Sequence, residues 1–155
     1  MSKIVYYTGI GSRTTPLDVT RRMTAIAKER AARGEVLRSG GADRADLAFE
    51  EGAGDLKEIY LPWRGFNGSR SDLFHTSPEA FEIAASIHPA WRYCSPGAQK
   101  LHARNVHQVL GRNLRTPSMV VICWTPGGGE VGGTRTAIVL ARQRGIEVVN
   151  LWGST

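Results

Sequence analysis

The sequence predicts an α/β fold: a three-layer α/β/α sandwich with a mainly parallel sheet of about five strands. Three observations predict it. Short apolar runs alternate with longer segments of helical periodicity. Most of the apolar runs lack polar alternation, as expected for strands covered on both faces. Three of the predicted strands end in glycine-rich turns. The chain has 155 residues, about one domain's worth, and no repeat or linker divides it, so residues 1–155 are read as a single domain.

The elements follow in order. Ile4-Val5-Tyr6-Tyr7 is a β-prone run that reaches Gly9-Ile10-Gly11-Ser12-Arg13. Thr15-Pro16 opens a helix, with Thr15 as its N-cap, and Gly34 ends it. Glu35 to Ser39 is the second strand, followed by Gly40-Gly41 and a helix from about Ala42 to Ala53. Ile59-Tyr60-Leu61 is the third strand. Residues 62–77 read as a long loop, of a length that usually carries function or mobility. Ser77-Pro78 caps a helix to Ile87, and another runs from Ala98 to Leu114. Met119 to Trp124 is the strongest strand signal. It enters the glycine-rich stretch 126–134, then a helix to Arg144 and a last strand, 146–151.

The formal charge is +6, unevenly placed. Residues 1–33 and 98–155 each carry +5, and residues 34–97 carry −4. That excludes an acidic solvating protein and admits anionic partners. The basic residues are read either as a nucleic-acid surface or as solvated helix faces. Cys94 and Cys123 cannot build a disulfide framework or a four-cysteine metal site, and are expected to be reduced thiols. The histidines lack the spacing and supporting carboxylates of a zinc site, so no metal is expected; no cofactor is expected either. The opening residues run straight into a strand, without a signal-peptide core. No apolar run approaches the ~18–20 residues of a membrane span. A cytoplasmic location is therefore expected.

In an open parallel sheet, ligands bind at the carboxyl ends of the strands. Three glycine clusters there point to a nucleotide or phosphate-sugar ligand, since glycine lets phosphate approach the backbone and helix N-termini favour it. Neither the dinucleotide fingerprint nor the P-loop fits, because residue 14 is threonine and 127–134 has no Gly-Lys-Ser/Thr ending. Asp43 and Asp46 begin one helix, as carboxylates for sugar or acid–base chemistry or as partners of the helix dipole. His102, Arg104 and Asn105 either line the pocket or face water. Trp63 and Trp124 either stack on a base or pack in the core.

Ser39-Gly40-Gly41-Ala42-Asp43-Arg44-Ala45-Asp46 resembles the glycine signature of the SLOG superfamily, which includes the DprA, YpsA-like and LOG phosphoribohydrolase branches. Ala103-Arg104-Asn105 is similar to a stretch of the YpsA-related branch. Pro126-Gly127-Gly128-Gly129 with Gly132-Gly133-Thr134 looks like a lengthened LOG loop. The run from Trp124 to Leu151 looks like small phage-encoded DprA-like proteins. The resemblance implies a Rossmann-like nucleotide-binding protein, with dimers common among relatives. It places Asp46 at the signature aspartate and Gly40, Gly41, Gly132, Gly133 and Thr134 around phosphate. Ala137 stands where the LOG enzymes carry their catalytic glutamate, and Glu130 is the nearest replacement carboxylate.

Two sets of site residues follow. Asp43, Asp46 and Glu130 would serve hydrolysis of an N-glycosidic bond. Gly9, Gly11, Ser12, Arg13, Ser39, Gly40, Gly41, Arg104, Asn105, Trp124, Gly128, Gly129, Gly132, Gly133, Thr134 and Arg135 would hold ligand or phosphate. Three functions remain open: a nucleotide-binding protein or hydrolase, a DprA-like binder of single-stranded DNA, and a module that sequesters a nucleotide signal unchanged.

Overall fold

The computed structural model describes residues 3–153. Five strands form one sheet: β1 (Tyr6–Gly9), β2 (Val36–Ser39), β3 (Lys57–Ile59), β4 (Val120–Cys123) and β5 (Glu147–Asn150). Their spatial order is β3-β2-β1-β4-β5. All pairings are parallel, with Tyr7 opposite Leu37, Thr8 opposite Val121 and Val121 opposite Val148. Five helices connect them: α1 (Leu17–Ala32), α2 (Ala45–Ala53), α3 (Pro78–Ile87), α4 (Pro96–Leu110) and α5 (Arg135–Gln143).

Burial on both faces explains the apolar strands. In β4, Val120 and Ile122 enter one core with Tyr7, Leu37, Met23 of α1 and Phe49 of α2. Val121 and Cys123 enter the other, with Ala84 of α3, Val106 of α4 and Ala137 of α5. This is the expected three-layer sandwich, with α1 and α2 on one face and α3, α4 and α5 on the other. No helix among the described residues is long and apolar enough to cross a membrane.

Several boundaries differ from the sequence reading. Thr15 is not the N-cap of α1. Pro16 holds that position, and the buried Thr15 hydroxyl donates to the Ser12 carbonyl (2.5 Å). The third strand lies two residues earlier than Ile59-Tyr60-Leu61, because the ladder with β2 runs from Leu37–Lys57 to Ser39–Ile59. Tyr60 and Leu61 instead meet Leu73 of the long loop, through a parallel bridge and a Leu61 N–H bond to its carbonyl (2.8 Å). α4 starts at Pro96 under a Ser95 cap, which accepts the Ala98 N–H, and ends at Leu110 rather than Leu114. α2 starts three residues later than expected. Its N-cap, Arg44, sits at φ +71°, ψ −101°, a conformation that side-chain-bearing residues rarely adopt.

Candidate functional site

Connections run outward from β1 through β2 to β3, then cross back to β4 and β5. The C-terminal ends of β1 and β4 are therefore a switch point, where the loops diverge and leave a crevice. A cleft of about 410 Å³ opens there. Its walls are the loop after β1 (Ile10 to Arg13), Ala42 and Asp46 before and on α2, and Pro126 with Val131 to Thr134 after β4. The remaining wall is α4. Ala98, Leu101, His102, Asn105 and Gln108 recur at three- and four-residue spacing on one helix face, joined by Arg104.

Asp46 and Arg104 anchor this cleft from opposite layers. Asp46 is buried and accepts the Ala42 N–H (3.2 Å), with the Gly11 and Gly40 amides also directed at its carboxylate. Burial pushes its pKa up to about 6, against the pull of Arg104 and the three amides. The Arg104 guanidinium is also buried. Its Nη1 donates to the carbonyls of Gly40 (2.6 Å) and Tyr60 (3.0 Å), and its Nε to Asn105 Oδ1 (2.9 Å). Burial pulls its pKa down to about 10, so it stays charged at neutral pH. Asn105 Nδ2 donates to the Gly133 carbonyl (2.6 Å), fastening the glycine loop to α4.

Gly40 is glycine because nothing larger fits. A Cβ there would lie 2.3 Å from Gln108 Nε2, 2.7 Å from Arg104 Nη1 and 2.9 Å from Asp46 Oδ2. The three side chains converge on this one backbone position, which is the junction of the site.

The structure brings Gly11, Ser12, Arg13, Asp46, Arg104, Asn105, Gly132, Gly133 and Thr134 together around the cleft. It places other expected residues elsewhere. Gly9 packs in the core, where a Cβ would meet the Phe49 ring at 2.6 Å, and its carbonyl accepts the buried Ser39 hydroxyl (2.6 Å). Trp124 is buried in the core shared with Phe49. Gly41 and Asp43 face the long loop, where Asn67 Nδ2 donates to the Gly41 carbonyl (2.9 Å) and to Asp43 Oδ1 (3.0 Å). Glu130 is exposed and pairs with Arg142 at 3.6 Å, outside the cleft lining. Gly128 lies against Trp152, and Gly129 accepts the Thr125 hydroxyl (2.7 Å). Arg135 turns to the last turn of α3 and donates to the Ile87 carbonyl (3.2 Å). Trp63, 40% exposed, meets Phe66 edge-on at 5.4 Å.

Gln108 was not singled out by the sequence, although it follows Arg104 by one helical turn on a helix already assigned to the pocket. It is 2% exposed and lines the cleft.

No protein-family model and no curated protein matches the chain. A solved structure does. The fold resembles DNA processing protein A from Helicobacter pylori. That protein was solved for its single-stranded DNA binding mode. The TM-score is 0.62 at 18% identity, over 94% of this chain and 64% of that one. At that identity the likeness shows the fold alone, a DprA-like Rossmann arrangement, and this chain spans under two thirds of the neighbour's length.

Proposed function

We propose that the switch-point cleft binds a nucleotide or nucleotide-derived phosphate-sugar, and releases it unchanged. One observation carries the reading. Gln108, almost wholly buried, makes no side-chain hydrogen bond among the described residues, and it lines the cleft. Its amide group is open to the cleft, where a ligand's donors and acceptors can pair with it. Beside it, Arg104 leaves Nη2 without a hydrogen bond among the described residues. These two polar ends suit a sugar or base edge. The amides of Gly132 to Thr134 at the start of α5, with Arg13 across the cleft, suit phosphate. Ile10, Leu101 and Val131 supply apolar wall for a base. The volume falls within the ~300–1,000 Å³ range of small-molecule sites.

Hydrolysis needs a carboxylate facing the ribose. Of the three candidate carboxylates, Asp46 alone lines the cleft, and its oxygens already serve backbone amides. Its task in this reading is to hold the loops after β1 and β2 in place.

Isothermal titration with nucleoside monophosphates, cyclic nucleotides and ADP-ribose tests the proposal. Binding by at least one is expected, weakened on the order of 10- to 100-fold by Gln108→Leu or Arg104→Gln, as loss of a buried hydrogen-bonding partner predicts. Chromatography of the ligand after incubation should return it intact. Silence across the panel would refute the reading.

The structural likeness favours a second reading, in which single-stranded DNA lies over the cleft mouth and stacks on exposed Trp63. It predicts oligonucleotide affinity that falls linearly in log salt and is lost in Trp63→Ala. Oligonucleotide binding without mononucleotide binding would replace the first reading with this one.

A further inference from the structure

Beside the cleft, the structure assembles three side chains that the sequence keeps apart. His88 ends α3, Cys94 closes a 3-10 turn (Trp91–Tyr93), and His102 lies one turn and a half into α4. The turn folds back so that the three meet. Their ligand atoms all lie within 4.8 Å of one another. Cys94 Sγ is 3.9 Å from His88 Nδ1 and 3.8 Å from Nε2, and the two imidazoles stand edge to face with centroids 4.6 Å apart. The histidine spacing was read along the chain alone, and the fold brings these groups together from separate elements. Linear spacing does not register groups that come from a helix end, a turn and the body of another helix.

We propose that His88, Cys94 and His102 bind one zinc ion, with the fourth position open to water or an exogenous ligand at the edge of the cleft. The chemistry of the donors selects the metal. One thiolate and two imidazoles suit zinc, whereas calcium and magnesium take oxygen. Tetrahedral zinc, with bonds of about 2.3 Å to sulfur and about 2.0 Å to nitrogen, holds its ligand atoms about 3.5 Å apart. The separations between Cys94 Sγ and the His88 nitrogens, 3.8 and 3.9 Å, are within a few tenths of that, and the His102 ligand atom, within 4.8 Å of both partners, is in reach after a small side-chain adjustment.

Partners beyond the trio set the ring roles. His102 Nδ1 lies 3.0 Å from the Thr136 hydroxyl on α5, which leaves Nε2 for the ion. His88 Nδ1 accepts the exposed Ala90 N–H (3.1 Å). Coordination through His88 Nε2 puts a proton on Nδ1, so that amide turns to water at a cost of about 1 kcal/mol. Arg104 and Arg135 stand near His102. The same cations oppose a divalent ion, and the Cys94 thiolate, which gives up its proton on binding, offsets them. His102 also lines the cleft, so the ion would sit where a bound ligand can reach its fourth position. The site stands on its own donors and does not rest on the nucleotide reading.

Cobalt(II) is the spectroscopic probe. Reduced protein, stripped with chelator, should take up one equivalent. It should show a thiolate-to-cobalt charge-transfer band and tetrahedral ligand-field bands, and zinc should displace them. Cys94→Ser should remove the charge-transfer band, while Cys123, buried in the core, should not supply one. Competition with a chromogenic chelator should show zinc affinity falling more than ~100-fold in His88→Ala and in Cys94→Ser, beyond the ~10–100-fold of an outer partner. His75→Ala should match the parent. Circular dichroism checks each variant's fold. If His102→Ala misfolds, the other two variants carry the test. A cobalt complex without a thiolate band, or a Cys94→Ser protein that binds zinc like the parent, would overturn the proposal.

Discussion

Asp46→Asn isolates the energetic consequence of burying one carboxylate at the junction of the cleft. In the folded protein its pKa is about 6, against 3.8 for a free aspartate. At ~1.36 kcal/mol per unit, that gap amounts to about 3 kcal/mol. The sign follows from which state holds the proton. Below the unfolded pKa both states are protonated and burial carries no ionic penalty. Between about pH 4 and 6 the unfolded chain releases the proton while the folded protein keeps it, so stability falls as pH rises. Above the folded pKa the whole penalty is present. Other groups titrate in the same window, so the quantity to measure is a difference. Urea unfolding of the parent and of Asp46→Asn should be followed from about pH 3.5 to 6.5. Parent minus variant stability should drop by about 3 kcal/mol across that range. The fixed cost of exchanging a carboxylate for an amide cancels in the slope. A flat difference, or one that rises with pH, would refute the reasoning. It would mean that Arg104 and the three amides, not desolvation, govern the carboxylate.

Three further outcomes follow from packing and backbone geometry. Arg44→Gly should raise stability by about 1 kcal/mol in the same assay, because relief of strain at φ +71° outweighs the added freedom of the unfolded chain. Gly9→Ala should lower it by about 2 kcal/mol, since the new methyl meets the Phe49 ring. Phe49→Leu in that background should recover part of the loss in a double-mutant cycle. Arg38→Met should cost about 3 kcal/mol by thermal unfolding. The buried Arg38 guanidinium donates to the Thr116 carbonyl (2.5 Å), to Ser118 Oγ and to Glu58 (both 3.2 Å), and covers the Tyr6 ring at 3.9 Å.

The sequence reading located all five strands and five helices because strand burial and helix caps are local signals. Ser77 caps α3 as read, and Met119 to Trp124 contains β4. It misplaced β3 because burial and pairing separate there. Tyr60 and Leu61 are buried, yet the ladder partners of β2 are the more exposed Lys57 and Glu58. In the site, glycine-rich strand ends marked the edge of the sheet where the cleft opens. They did not tell a glycine that admits a ligand from one that admits a neighbour. Gly9 is small for Phe49, and Gly40 for Gln108, Arg104 and Asp46, each distant in sequence. Arg135 and Glu130 carry the right charge but face α3 and Arg142 instead. Side-chain direction at a loop depends on what packs behind it, which no local window contains.

The seam that creates the cleft also sets its place in time. Thr8 pairs with Val121, so joining β1 to β4 closes a long stretch of chain, which is entropically costly and is expected late in folding. Residues 131–134, which follow β4, take their place in the wall only with that step, whereas α4 already packs on α3 and bonds to the Gly40 and Tyr60 carbonyls. Anything that occupies the cleft therefore meets a protein that is already folded. It should prolong the lifetime of the folded state and leave the rate of reaching it unchanged.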